Sequence, residues 1–247
     1  MNFSFKIYIV SDPLVSVIIP SYNRYAFLEN AVKSVLDQSY NNIEVFVVND
    51  ESTEQDYYIK KFPNIVNQIN VNRSDYPNWG GSRQPLRNIA AKQSSGKYLA
   101  FLDDDDIWLP KKLEVQIEVM ENSSNLISST EGYYGEGVYN ENSDYPKYNS
   151  EHFFKILKRK YRRTNFLKQN KFPSEWTYEF LSIHNCIILS STVIRKDLYD
   201  RLGGFRGLPR LADYDLWLNA LKLTNLDYID VPLFYYDGAH GSGKNYT

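Results

Sequence analysis

Tyr98-Leu-Ala-Phe-Leu102 runs without a polar break into four consecutive aspartates, Asp103–Asp106. A short apolar run of this kind fits a strand buried on both faces, which belongs in a parallel sheet flanked by helices. Two earlier segments repeat the pattern. Val15-Ser-Val-Ile-Ile19 is closed by Pro20, and Ile43–Val48 ends in the polar Asn49-Asp-Glu-Ser-Thr53. Between them, Phe27, Leu28, Ala31, Val32, Val35 and Leu36 recur at helical spacing, with Asn23 placed to cap that helix. Leu86, Ile89, Ala90 and Ala91 predict another helix before the third strand. Right-handed strand–helix–strand crossovers bring Pro20–Asn23, Asn49–Thr53 and the aspartates to one sheet edge, where open α/β sheets bind ligands.

Four adjacent carboxylates repel one another, so a folded site needs a cation to hold them close. Hard oxygen donors suit Mg2+ or Mn2+, which share their coordination shell with substrate phosphates. An extended backbone aims Asp103 and Asp105 one way and Asp104 and Asp106 the other. The competing expectation is a solvated acidic turn before a helix, with Asp106 as its N-cap.

With 247 residues, 43% apolar and 23% charged, the chain can bury one sizeable core and is too apolar for wholesale disorder. The formal charge of −2 argues against a nucleic-acid partner. Cys186 is the lone cysteine, which excludes an intrachain disulfide and a zinc cluster. The 21 tyrosines fit a binding surface, and fit a coding bias equally well. No run approaches a membrane span, and Phe3–Val10 alternates like a strand rather than a signal peptide, so a cytoplasmic protein is expected. Residues 122–150 are rich in Asn, Ser, Gly and Tyr, 153–171 are basic, His184–Ile194 predicts a strand and Asp213–Leu223 a helix.

In this order of motifs the chain resembles the GT-A glycosyltransferases, in particular the inverting family 2. Val15–Arg24 is similar to that family's first strand and turn, Val47–Thr53 to its second-strand motif, and Leu86-Arg-Asn88 to its Ala-Arg-Asn. Ser95–Asp103 with the following acids resembles its metal motif. Ser190–Arg195, Gly203-Gly-Phe205 and Asp213-Tyr-Asp-Leu-Trp217 resemble its acceptor-side elements. The resemblance runs from about Val15 to the C-terminus, with 122–171 largely unmatched. It implies a GT-A, Rossmann-like α/β fold: a mixed, mostly parallel sheet flanked by helices, with an acceptor-side subdomain. Residues 1–120 would form the nucleotide-sugar-binding half and 121–247 the acceptor-binding half of one domain.

The resemblance also implies roles. Pro20, Tyr22 and Asn23 would lie near the nucleotide, Asp50 would bond the base, usually uracil, and Arg87 would stand near the diphosphate and donor sugar. Asp103 would face the ribose or sugar beside Asp104, Asp105 would ligate Mn2+ or Mg2+, and Asp213 would be the catalytic base. Asp50 also fits turn-capping and Asp213 helix-capping, where backbone N–H groups would lower its pKa. His240, in a Gly-rich loop, reads as a metal or diphosphate ligand or as an exposed histidine. Gly204, Phe205 and Trp176 are acceptor candidates, Tyr133–Tyr139 and Trp176 read either as sugar platforms or as packing, and Gly80-Gly81 forms either a loop over the donor or a plain turn.

The family usually has Glu-Asp where this chain has Ala212-Asp213, with Asp215 two residues further on. The resemblance implies an inverting, metal-dependent transferase using a nucleotide sugar, in the family's habit a UDP-sugar, and a glycan, lipid-linked or protein hydroxyl acceptor. Ala212 motivates the alternative of a degenerate module that binds nucleotide sugar or glycan without turnover. The basic, aromatic stretch 153–168 reads either as a solvated amphipathic helix or as a rim for an anionic acceptor or peripheral membrane contact.

Overall fold

The computed structural model describes residues 12–76 and 83–240. The expected Phe3–Val10 strand and the Gly80-Gly81 pair lie outside them. The three apolar runs become the parallel centre of one sheet. β1 (Val15–Ser21) lies between β2 (Ile43–Asp50) and β4 (Tyr98–Phe101), and β3 (Val66–Val71) extends the parallel set beyond β2.

Alternation along these strands divides the core in two. Ile18, Phe46, Val48, Leu99 and Phe101 face one layer, with Leu86, Ala90 and Ala91 of α3 (Leu86–Gln93). Val17, Ile19, Val45, Val47 and Ala100 face the other, with Leu28, Ala31, Val32 and Val35 of α1 (Tyr25–Leu36). Each fully buried Val, Ile or Leu contributes about 1.5–3 kcal/mol relative to exposure.

The second half of the chain continues the same sheet. β8 (Val193–Arg195) pairs antiparallel with β4, and β6 (Ile127–Gly135) antiparallel with β8. β9 (Leu226–Asp237) then runs parallel to β6 and pairs antiparallel with β5 (Ile107–Trp108) and β7 (Glu175–Trp176). The strand order is β3-β2-β1-β4-β8-β6-β9-β5, with β7 beside β9. The long ladders are parallel and the antiparallel ones short, giving the expected mixed sheet flanked by helices. Those helices include α2 (Asp56–Ile59), α4 (Lys112–Glu121), α5 (Phe154–Lys160), α6 (Tyr178–Leu181), α7 (Lys196–Leu202) and α8 (Ala212–Ala220). No helix among the described residues is long and apolar enough to cross a membrane.

Four expectations are corrected. The strand expected over His184–Ile194 is confined to β8, because side chains satisfy the preceding backbone: Asn149 Nδ2 donates to the Cys186 carbonyl (3.1 Å) and Asn185 Oδ1 accepts from Ile187 N (3.2 Å). Asn23 does not cap α1. Its Oδ1 accepts from Thr53 N (2.7 Å), and Glu54 Oε2 instead takes the Tyr25 N–H (2.9 Å) at the start of that helix. Trp176 offers no sugar platform: it is 0% exposed, stacked on Tyr228 at 4.2 Å and packed against Phe180 at 4.8 Å. Asp106 is not a helix N-cap, since β5 follows it directly and α4 begins only at Lys112.

Candidate active site at the carboxyl edge of the sheet

The four aspartates do not continue β4 as an extended strand. Asp106 N donates to the Asp103 carbonyl (3.1 Å), closing a turn, so the alternation expected of the four side chains is lost. Ser190, in the short 3-10 turn Leu189–Ser191, clamps this turn. Its hydroxyl accepts from Asp103 N (3.0 Å) and donates to Asp106, while its carbonyl accepts from Trp108 Nε1 (2.8 Å). Asp106 Oδ1 also accepts from Asp237 N (3.0 Å) at the end of β9.

The carboxylates divide by environment. Asp104 faces inward: Oδ2 accepts from Ser21 Oγ (2.6 Å), and both oxygens receive the Arg24 guanidinium. It anchors the turn to the end of β1 rather than facing a donor, which corrects its expected role. Arg24 Nη1 continues to Asp105 Oδ2 (3.1 Å) and to the His240 carbonyl (3.3 Å). Burial drives the Asp104 carboxyl up to about 6 against the pull of Arg24. Burial and the neighbouring Asp103 and Asp104 drive Asp105 up to about 7, again opposed by Arg24. Asp106, buried with hydroxyl and amide partners, is raised well above the usual carboxylate range by burial and then by Asp105 and Asp103. Asp103 is the open member, with its side chain 36% exposed and paired with Arg87.

At the end of β2, the buried Asp50 accepts two hydrogen bonds from Arg73, at 2.8 and 2.7 Å, and pairs with Arg83 at 3.0 Å. The Arg83 guanidinium lies 4.2 Å from the Tyr22 ring centre. Asp50, Tyr22 and Asn23 thus gather at one end of the sheet with two arginines that sequence patterns do not single out. Pro20 is buried within β1 opposite Val48, so its role is in the strand rather than at a surface.

On the other side, Arg87 is buried under Phe205, 5.7 Å from its ring centre, and donates to Gln84 (2.8 Å) and Asp103. Its Nε is buried without a hydrogen-bond partner. Asn88 joins α3 to the turn after α7: Oδ1 accepts from Phe205 N (2.9 Å) and Nδ2 donates to the Phe205 carbonyl (2.8 Å). Gly204 adopts φ +72°, and a Cβ there would meet Asn88 Oδ1 at 2.4 Å, so the close approach requires glycine. Phe205 is itself buried against Phe101 and Trp217. Both residues build the wall that carries Arg87, and the Phe205 ring is not presented as an acceptor surface.

Asp213, in the first turn of α8, is half-buried and within electrostatic reach of Asp103 and Arg87. Burial raises its pKa and outweighs the backbone N–H of Tyr214, which reverses the lowering expected from helix-capping. Ala212 is buried, and Asp215 is held by the Arg206 guanidinium (Nε–Oδ2 2.7 Å), so Asp215 does not replace the missing glutamate.

Arg24 and Arg87 thus pair with three of the four carboxylates, while Asp106 has only hydroxyl and amide partners. The burial and crowding that raise Asp105 and Asp106 are what a divalent cation would relieve. No group of three or more His, Cys, Asp or Glu side chains among the described residues forms a ready-made metal cage. The chemistry of Asp103 and Asp105 still fits Mg2+ or Mn2+, which take one or two carboxylates and leave the remaining positions to phosphate and water. His240 lies beside this group, with Nδ1 2.6 Å from Asp237 Oδ2 and its ring 4.6 Å from that of Phe27. Tyr148 and Tyr236 flank the turn from β9 and the 148–152 segment, and both are raised by burial and by the nearby Asp106.

The fold and these motifs match known proteins. S. aureus TarS 1–349 in complex with UDP-GlcNAc superposes with a TM-score of 0.66 at 20% identity, covering 92% of this chain and 59% of that one. The Pyrobaculum calidifontis mannosyltransferase PcManGT, in complex with GDP-Man and Mn2+, gives 0.62 at 16% identity, covering 94% and 59%. In sequence, the Escherichia coli UDP-Glc:alpha-D-GlcNAc-diphosphoundecaprenol beta-1,3-glucosyltransferase WfgD is 32% identical over 221 residues, 90% of this chain and 75% of that protein. An uncharacterized glycosyltransferase of Rickettsia bellii is 38% identical over 153 residues, 60% of this chain, but the match spans only 21% of its own length. The family described as Glycosyl transferase family 2 matches residues 16–184, more than half of the chain. With its sheet order, its acid turn after β4 and this match, the chain belongs to glycosyl transferase family 2.

Proposed function

We propose that the chain transfers a sugar from a nucleotide-diphosphate sugar, a UDP-sugar, to a hydroxyl acceptor in glycan or polysaccharide synthesis, with inversion and dependence on a divalent metal. The observation that carries this reading is the excess of carboxylates over guanidinium groups at the end of β4, with Asp213 within electrostatic reach. Residues 1–120 supply the nucleotide side and 121–247 the acceptor side. Tyr22, Asn23 and Asp50, with Arg73 and Arg83 held by Asp50, bound the nucleotide end. Arg87 and the open Asp103 serve the diphosphate and sugar. Asp105, with His240 beside it, would hold Mn2+ or Mg2+, which when bound offsets the charge on the departing diphosphate.

Asp213 takes the proton of the acceptor hydroxyl as that oxygen attacks the anomeric carbon. Its raised pKa makes it a stronger base than an ordinary carboxylate. The WfgD name places that enzyme's acceptor sugar on a diphosphoundecaprenol lipid, which supports a lipid-linked hydroxyl among the acceptor classes.

The test is thermal stabilisation by UDP and GDP with and without Mn2+, followed by donor hydrolysis, because a ligand of the folded state raises its stability. Metal-dependent stabilisation by UDP and hydrolysis lost in Asp105→Ala and Asp213→Asn are expected. No stabilisation by any nucleoside diphosphate would overturn the reading. A second reading, binding without turnover, is favoured by Ala212 together with the capture of Asp215 by Arg206. Nucleotide binding without transfer or hydrolysis across a donor panel would select it.

A further inference from the structure

The segment from Lys155 to Lys171 holds eight of the chain's 28 basic residues and none of its 30 acids, which leaves the remainder at a net charge of −10. All eight cations are exposed, and none is ion-paired among the described residues. The backbone that displays them is fixed. Leu157, Tyr161, Leu167 and Phe172 are buried in the core, and the Tyr161 hydroxyl donates to the Phe180 carbonyl (3.0 Å). The cations are therefore held outward on an anchored scaffold, with Ile156 44% exposed among them. The segment also adjoins the site: Phe153, just before α5, packs against Tyr148 (4.9 Å), which flanks the acid turn.

We propose that this cationic face docks the chain on an anionic lipid bilayer. Basic side chains near such a surface are attracted by its negative potential, and an exposed aliphatic residue among them adds apolar contact. Charge complementarity alone would also admit a single-stranded nucleic acid. That partner needs aromatic rings on which bases stack, and here Tyr161 and Phe172 are buried while Phe153, Phe154 and Phe166 are packed against the core. A flat anionic surface uses the charges without the rings. The inference rests on this segment and not on the donor-site reading.

Co-sedimentation of the full chain with vesicles of phosphatidylglycerol and phosphatidylcholine tests it. Binding to the anionic vesicles, weakened by salt and absent on pure phosphatidylcholine, is expected. The variant Lys158→Ala/Arg159→Ala/Arg162→Ala/Arg163→Ala should bind roughly tenfold or more weakly. The thermal unfolding midpoint of the same variant, measured without ligand, should be unchanged and reports that the fold is intact. Equal binding to both vesicle types, or unaltered binding by the variant, would overturn the proposal. So would competition by a single-stranded oligonucleotide at least as strong as that of the anionic vesicles.

Discussion

The guanidinium of Arg24 lies across both Asp104 and Asp105, with the Arg24 and Asp104 side chains only 5% and 1% exposed. One cation from the first βα turn thus holds two acids from a turn 80 residues later. The Ser21 hydroxyl completes the link from β1 to the acid turn. This arrangement fixes the two carboxylates before any ligand arrives, at the cost of desolvating all three charges.

Removing Arg24 should therefore be severe. Arg24→Ala leaves Asp104 buried without a cation, and breaking such a pair typically costs about 3–5 kcal/mol. Arg24→Lys should cost less than alanine but more than a surface change, because an ammonium cannot reproduce the planar fork that spans both acids. Urea unfolding of the two variants beside the parent gives the ranking. A loss below about 1 kcal/mol for Arg24→Ala, the range of exposed pairs, would show that the ion pair is not the tie described.

Asp50 is the corresponding hinge on the other side of the site. Its carboxylate fixes Arg73 in a two-pronged contact and draws in Arg83, which covers Tyr22. Asp50→Asn keeps the size but halves the accepting capacity and removes the charge. We expect UDP affinity to fall by roughly tenfold or more, as one charge-assisted contact is worth about 1.5–3 kcal/mol. Calorimetric titration with UDP checks this, with Arg206→Ala as a comparison that leaves affinity near the parent value.

Much of this site is legible in sequence because parallel strands buried on both faces are continuous apolar runs. The polar residues that end β1, β2 and β4 are then forced to one edge. The second half is less legible. β6 reads Ile-Ser-Ser-Thr-Glu-Gly-Tyr-Tyr-Gly and buries polar groups that find partners only in the folded chain. Ser128 accepts from Gln116 (2.9 Å), and the Glu131 carboxylate takes the backbone N–H groups of Asn149 (3.0 Å) and Ser150 (2.9 Å). Trp176 misleads for the converse reason: an aromatic residue in a polar stretch looks available, and the fold closes over it. Arg24 is placed at the correct edge by its motif, but nothing local announces partners so distant in sequence.

Asp213 tests the chemistry separately from binding. Asp213→Asn is nearly isosteric and removes the proposed base, so turnover should fall by about 10²–10⁴-fold, the usual share of general-base catalysis. UDP-dependent stabilisation should persist, since on the proposed reading Asp213 serves the acceptor hydroxyl rather than the nucleotide. A general base acts when ionised, so the parent's rate should rise with pH through a pKa above the ordinary carboxylate range, as burial raises that of Asp213. Stopped-time assays from pH 4 to 8, with stability followed in parallel, measure the profile. A rate already flat above pH 4 would assign the proton transfer elsewhere.

Lys112 makes a prediction independent of the site. It is 0% exposed at the start of α4, its Nζ donates to Gln116 Oε1 (2.6 Å), and it lies 4.1 Å from the Trp108 ring centre. Both partners are neutral, and burial lowers the Lys112 pKa well below the usual lysine value. Between that lowered value and the ordinary lysine range, the unfolded chain binds a proton that the folded chain does not. Stability therefore falls as pH drops through the interval, by up to about 1.4 kcal/mol per pH unit from this one group. Lys112→Met keeps the stem and removes the titration. Chemical denaturation of both proteins from pH 7 to 9 should show the parent gaining stability relative to the variant as pH rises, whatever the constant offset from losing the Gln116 bond. Parallel pH dependences would mean that the amine stays charged in the core and that a partner other than Gln116 and Trp108 offsets its desolvation.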